Sequence, residues 1–277
     1  MIKKFFYATG VMVLICFSFY YTDMAVDIVK RNDPIMKQIV EVSNFYTKEA
    51  TDAVVSDLGI IPGISGMMVD IDKSYEKMRQ YGSFDEGLLV FGEVVPTVSS
   101  SNTYDKFIIS GNPSKNGVSL LFTLVDDFYI DEIINILNSK NVHVTFFLED
   151  SLIKNNSLLK KIIETGNDIE LLSSDYLSKE IKAVNNILKM YDKKINYCYY
   201  DKIGTINNNC KNNKLYSFVP SIIPDSFPYS DIKNNIVNGS IISLDNDSST
   251  VRELSSIINY LNQKGYKILL LEDLLNE

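Results

Sequence analysis

From Val118 onward the chain switches periodicity again and again, and that alternation restricts its fold more than any other feature. VSLLF is an apolar run of strand length, and IDEIINILNSK places Ile and Leu at helical spacing. NVHVTFFLE reads as a strand, and NSLLKKIIETG as a helix stopped by Gly166. DIELLSS, INYCYY, SIISLD and YKILLLED read as further strands. SKEIKAVNNILKMY and TVRELSSIINYLNQKG read as helices, and NNNCKNNKLYSFVPSI as a helix followed by a strand. Strands alternating with helices connect by right-handed crossovers, which gives parallel strands with helices packed on the sheet. The expected class is α/β, either a barrel or a doubly wound sheet.

The N-terminal end has a different texture. Lys3 and Lys4 precede an apolar run from Phe5 to Tyr21, 17 residues long, at the lower edge of the roughly 17–25 that span a bilayer. SFYYTDMAV offers no small-residue cleavage pattern, and Ile15 stands where a lipoprotein box before Cys16 needs a small residue. The segment is therefore read as an uncleaved anchor. Lys3 and Lys4 favour an inside N-terminus, against Lys30, Arg31 and Lys37 on the far side. Long downstream domains translocate largely regardless of charge, so the main domain is expected outside the cell, on a single-pass bacterial membrane anchor.

Between anchor and repeat lies a small α+β region. Asp33-Pro34 is a helix start, with Ile35, Ile39 and Val42 at helical spacing behind it. Pro62, Gly63 and Gly66 mark a turn, and LLVFGEVVPTV and YDKFIIS read as strands. Asp70-Ile-Asp72 imitates a calcium loop but has Tyr75 and Tyr81 where Gly and Glu are required, so Asp72 is read as the cap of the helix carrying SYEKM. The expected division is residues 1–31 as anchor and juxtamembrane segment, 32–115 as the small region, and 116–277 as the repeating domain.

Composition excludes several functions. A formal net charge of -8 disfavours nucleic acid, which needs clustered Lys and Arg. A single histidine, His143, removes two-histidine metal motifs and most zinc sites. It lies near the start of its strand, opposite the end where chemistry is expected, and is read as structural. The three cysteines form no CxxC, and no phosphate-binding glycine motif is present.

NVHVTFFLED, LLKKIIETGNDIELLSSDYLS and NGSIISLDNDSS followed by VRELSSIINYLNQKGYKILLLEDLL occur in the order of a known family. Over about Asn116–Glu277 the chain resembles the NodB-homology, or polysaccharide deacetylase, family (carbohydrate esterase family 4). The resemblance implies a deformed, TIM-like β/α barrel with its chemistry at the C-terminal strand ends. It also implies hydrolysis of N-acetyl groups on chitin-like or peptidoglycan sugars. In that family a divalent metal on one Asp and two His activates water, a second Asp acts as base and a late His as acid.

Mapped residue by residue, those groups are missing. If Phe122 matches the Phe of the family's strand end, the Asp-Asp positions are Thr123 and Leu124, and Asp126 and Asp127 come three residues late. The two metal histidines fall on Leu172 and Tyr176. The Arg-Pro motif falls in CYYDK without either residue, and the acid histidine falls on Asp245. The resemblance thus implies a degenerate member without the family zinc or other cofactor. Three functional readings follow. The first is a membrane-anchored, extracytoplasmic pseudoenzyme that binds envelope glycan such as peptidoglycan, or a protein partner. Its contacts would come from Glu149, Asp150, Asp175, Tyr199 and Tyr200, because tyrosines stack on sugar rings. The second is a divergent metal-dependent hydrolase of N-acetylated polysaccharide with a carboxylate site drawn from Asp126, Asp127, Asp175 and Asp245. The third is weak deacetylation through another register. Cys198 and Cys210, twelve residues apart, could close a disulfide loop outside the cell, worth about 3 kcal/mol.

Overall fold

The computed structural model describes residues 2–277. Side chains are described for residues 11–22 and 24–277, so Lys3 and Lys4 lie outside them. In chain order the first elements are α1 (Ile2–Asn32), α2 (Pro34–Tyr46), β1 (Val54–Val55), β2 (Ile60–Ile61), β3 (Gly66–Val69), α3 (Ile71–Tyr81), β4 (Phe91–Val94) and β5 (Phe107–Ile108). The repeating part comprises β6 (Gly117–Leu124), α4 (Ile130–Lys140), β7 (Thr145–Leu148), α5 (Asp150–Ile153), α6 (Asn156–Glu164), β8 (Asp168–Leu171) and α7 (Ser178–Leu188). It continues with β9 (Tyr197–Tyr199), α8 (Asn208–Asn212), β10 (Tyr216–Phe218), α9 (Pro228–Asn235), β11 (Ile241–Asp245), α10 (Ser248–Gln263), β12 (Lys267–Leu269) and α11 (Leu271–Leu275).

The chain divides into two compact units. The first holds the residues up to Ala50 together with Ser65–Val95. Within α1, Val11–Asn32 is exposed and has a mean hydropathy of 1.6, long and apolar enough to cross a membrane by length and composition. Asp33 caps α2 by accepting from the Ile35 N–H at 2.8 Å, and Pro34 opens the helix. Asp70, rather than Asp72, caps α3 by accepting from the Lys73 N–H at 3.0 Å. Asp72 falls in the first turn, where its carboxylate reaches Lys30 at 2.6 Å. Met36, Ile39, Val69, Tyr75, Met78 and Leu89 form this unit's core beside the antiparallel β3–β4 pair.

The second unit takes Thr51–Ile64 and Pro96–Glu277. β5 pairs in parallel with β10, and β2 pairs with β5. These strands are two residues long, too short to show periodicity, and β10, the parallel partner of β5, lies about a hundred residues away. One sheet has the order β1-β2-β5-β10-β9 and the other β11-β6-β7-β8, with β12 also on β6. All pairings except β1–β2 are parallel, as the crossovers require.

Side chains alternate across these strands. Val118, Leu120, Phe122 and Leu124 of β6 join the large core under the helices, while Leu121 faces an inner cluster with Phe147, Tyr197, Phe218 and Ile241. The strands do not close as one ladder. Between β8 and β9 the backbone pairing stops, and two side chains occupy the gap. The buried Glu170 carboxylate accepts from the Asn196 N–H at 3.0 Å and the Tyr197 N–H at 3.2 Å. The Tyr176 hydroxyl accepts from the Tyr199 N–H at 2.8 Å and donates to the Leu171 C=O at 3.1 Å. The expected single barrel is therefore two largely parallel sheets joined here by side chains. On the other side a bridge between Ile222 and Ile242 links them.

Candidate functional site

Strand alternation decides which expected site residues face inward. Thr123 is two residues beyond Leu121 and shares its inner face, whereas Leu124 is fully buried in the outer core and turned away from the site. Leu172 follows β8 and packs on the inner cluster, as does Tyr199 at the end of β9. Asp245 ends β11 in register with Thr123, and the Thr123 hydroxyl donates to its carboxylate at 2.8 Å. The Tyr199 hydroxyl lies 3.0 Å from that of Ser243. Beneath them, Phe147, Tyr199 and Phe218 pack ring against ring with centroids 5.4–5.7 Å apart. The inner face at the strand ends is thus filled by aromatic rings and closed by internal hydrogen bonds.

Tyr176 is the most constrained residue of the group. It is 1% exposed and sits in the left-handed region with φ +47, which a Tyr adopts only under strong tertiary constraint. Burial pushes its phenol well above the ordinary tyrosine range, so it is a neutral hydrogen-bonding group. Burial likewise raises the Tyr199 phenol; the Asp245 charge adds to this, and the Ser243 contact opposes it. Burial also raises the Glu170 carboxyl well above the usual range, aided by nearby Asp168 and opposed by the two backbone N–H groups it accepts from. Asp168 itself is held by Lys193 at 2.7 Å.

The remaining sequence candidates separate. Asp126 and Asp127 lie in the exposed loop after β6. Asp126 accepts from the Phe128 N–H at 3.1 Å and from the Asn246 amide at 3.0 Å, so it shapes the turn; it does not cap α4, whose N-cap position is Tyr129 and has no side-chain cap. Glu149 is exposed at the start of α5, and Asp150 pairs with Lys154 one turn on. Asp175 contributes its backbone C=O, which accepts from the Asn207 and Asn209 amides at 2.7 and 3.1 Å. Tyr200 points the other way from Tyr199: its ring meets Phe107 and its hydroxyl accepts from the Asn207 N–H at 2.8 Å. It packs on the large core rather than the inner cluster, because neighbouring strand residues face opposite sides. Among the described residues no three His, Cys, Asp or Glu side chains, Asp126, Asp127, Asp175 and Asp245 included, come together in a group that could hold a metal. His143 is exposed near the start of β7, with Nδ1 3.1 Å from the Thr165 C=O. Cys198 and Cys210 are buried with their sulfurs at bonding distance and Cα atoms 6.3 Å apart.

Comparison with solved structures decides the architecture. The wild-type BA3943 of Bacillus anthracis, a CE4 family pseudoenzyme, superposes with a TM-score of 0.63 at 23% identity, covering 89% of this chain and 96% of that one. The fold is that of the family 4 carbohydrate esterases. A BA3943 mutant with restored enzymatic activity matches as well, at 24% identity and TM-score 0.63, over 88% of this chain and 99% of that one. Bc1960, a peptidoglycan N-acetylglucosamine deacetylase, superposes with a TM-score of 0.55 at 20% identity over 63% of this chain and 94% of that one. In sequence, the uncharacterized protein YlxY of Bacillus subtilis is 25% identical over 281 residues, 91% of this chain and 86% of that protein. No family model matches.

At the positions where the resemblance puts the family's ligands, the side chains do not suit the metal that the resemblance implies. Leu172 has no donor atom, and the Tyr176 oxygen is engaged by two backbone groups. Thr123 and Asp245 leave one carboxylate, already hydrogen-bonded, and no imidazole. Sequence reasoning missed Glu170 and the bridging role of Tyr176. The only signal was an acid inside the apolar run DIELL, since a buried carboxylate demands partners.

Proposed function

We propose that this is a membrane-anchored, extracytoplasmic protein of the CE4 fold that binds an envelope component, glycan or protein, without hydrolysing it. One observation carries the reading. The positions at which the family's chemistry is expected are occupied by Thr123, Leu172, Tyr176 and Asp245, and three of these are committed to internal hydrogen bonds. Hydrolysis of an amide needs a polarised carbonyl, an activated water and a proton donor for the leaving nitrogen. Here the inner face offers the Tyr199 phenol, whose pKa burial raises, a threonine hydroxyl and one carboxylate bonded to it. The likeness to a CE4 pseudoenzyme supports the reading, and the exposed apolar α1 supports an anchor.

The test is to incubate the full chain, in detergent, with chitohexaose and with peptidoglycan in the presence of zinc, manganese or cobalt, and to quantify acetate. The expected result is no acetate above the protein-free control. Release that disappears in Asp245→Ala would overturn the proposal. Anchoring is checked by alkaline carbonate extraction of membranes: the chain stays in the pellet, and full release into the supernatant contradicts an α1 span.

A further inference from the structure

The loops that follow parallel strands all emerge at one end of the second unit, and they carry large apolar side chains in solvent. Phe128 is 80% exposed, Phe227 65% and Val125 63%; Ile203, Ile223 and Leu177 are 48%, 46% and 42% exposed. They come from four separate loops, after β6, β8, β9 and β10. Exposed apolar residues gathered at one end of a domain mark a surface that something covers. The same loops carry Asp126, Asp127, Asp175, Asp201 and Asp225 against a single base, Lys202.

This combination selects among occupants. A second copy meeting face to face would set acid against acid. An anionic lipid surface would be repelled for the same reason. A sugar needs ring faces and free hydroxyls or amides, whereas four of the six apolar residues are aliphatic and the local tyrosines are spent. Tyr176 bridges two strands, Tyr199 is paired with Ser243, and Tyr200 is bonded to Asn207. We propose that the strand-end rim is a docking surface for a protein segment that presents apolar side chains flanked by lysine or arginine. This rests on the reading that the face binds rather than cleaves. The apolar residues would supply affinity and the acids orientation and encounter rate.

The test uses the full chain in lipid nanodiscs and two synthetic probes, an amphipathic Leu/Lys peptide and its Leu/Glu counterpart, by fluorescence anisotropy at physiological salt. The Lys peptide is expected to bind at least ~10-fold more tightly than the Glu peptide, and Phe128→Ser with Phe227→Ser to weaken it by about 10-fold or more. Both residues are solvent-exposed, so the thermal midpoint of the double variant should match the wild type. Asp126→Asn with Asp127→Asn, which leaves the apolar residues in place, should weaken the Lys peptide and lower its salt dependence. Equal binding of both peptides, or undiminished binding by the Ser variant, overturns the docking surface. Displacement of the Lys peptide by chitohexaose, with chitohexaose binding lost in the Ser variant, makes the occupant a glycan and also overturns it, while leaving the non-hydrolytic reading intact. Acetate release from the same preparation would instead overturn that underlying reading.

Discussion

Tyr176→Phe isolates one oxygen atom. The ring stays, so cavity formation and its cost are avoided, and only the hydroxyl that joins β8 to β9 is lost. Two backbone groups then lose their partner, the Tyr199 N–H and the Leu171 C=O. The Leu171 carbonyl points away from β7, because it is the next residue, Leu172, whose N–H bonds the Leu148 C=O at 2.8 Å. With the hydroxyl buried, water replaces it poorly. Each orphaned buried polar group costs about 1–3 kcal/mol, so the variant should lose about 2–4 kcal/mol after partial relaxation. For a domain of this size that is a fall in Tm of about 4–16 °C. The assay is urea unfolding followed by far-ultraviolet circular dichroism, since the chain has no tryptophan to report by fluorescence. Tyr176→His, which reinstates the family's residue, should be at least as destabilised, because imidazole is too short to span the same gap. Stability of Tyr176→Phe within about 0.5 kcal/mol of wild type, an ordinary surface-mutation effect, would refute the bridge.

Glu170 is an acid whose folded pKa is raised, so ionisation opposes folding and stability falls as pH rises from the ordinary carboxylate range through the folded value. Glu170→Gln keeps an acceptor for Asn196 and Tyr197 and removes the titration. Its stability relative to wild type should climb as pH rises above the ordinary carboxylate range, and a difference flat with pH would contradict the assignment. Glu277 behaves oppositely. Partial burial works against it, but the Ser100 N–H, the Ser99 hydroxyl and the Gly63 N–H bring its carboxyl down to about 2. Its contribution is present above the unfolded carboxylate pKa and is lost as pH falls through the folded value. Glu277→Gln should therefore cost about 1–2 kcal/mol at neutral pH, discounted for its exposure, and little near about pH 2; equal cost at both would argue against it. Labelling thiols in denatured, unreduced protein should modify Cys16 alone. Two further reactive thiols would contradict a Cys198–Cys210 bridge, whose removal should cost about 3 kcal/mol.

Most of the second unit was legible because parallel strands buried on both faces read as apolar runs of strand length, and its helices show their period over two or more turns. VSLLF lies within β6, and NVHVTFFLE and SIISLD contain β7 and β11. The two-residue β2 carries no such signal, whereas YDKFIIS contains β5, whose parallel pairing with the distant β10 assigns it to this unit. At the site, the expected mapping onto Thr123, Leu172, Tyr176 and Asp245 came from the family resemblance, and strand register puts Thr123 beside Asp245. The same register separates Leu124 from Thr123 and Tyr200 from Tyr199, since neighbours face opposite sides. The bridges made by Tyr176 and Glu170 could not be read from local pattern. They satisfy backbone groups 23 to 27 residues away across a gap in the ladder, and nothing in periodicity announces where a ladder opens.

The most direct test of the central claim, that the strand ends no longer form a metal-dependent hydrolytic site, is calorimetric titration of the full chain with zinc, manganese and cobalt. The account predicts no saturable binding at the strand ends and identical isotherms for wild type and Asp245→Ala. A one-to-one site in the wild type that disappears in Asp245→Ala would contradict it.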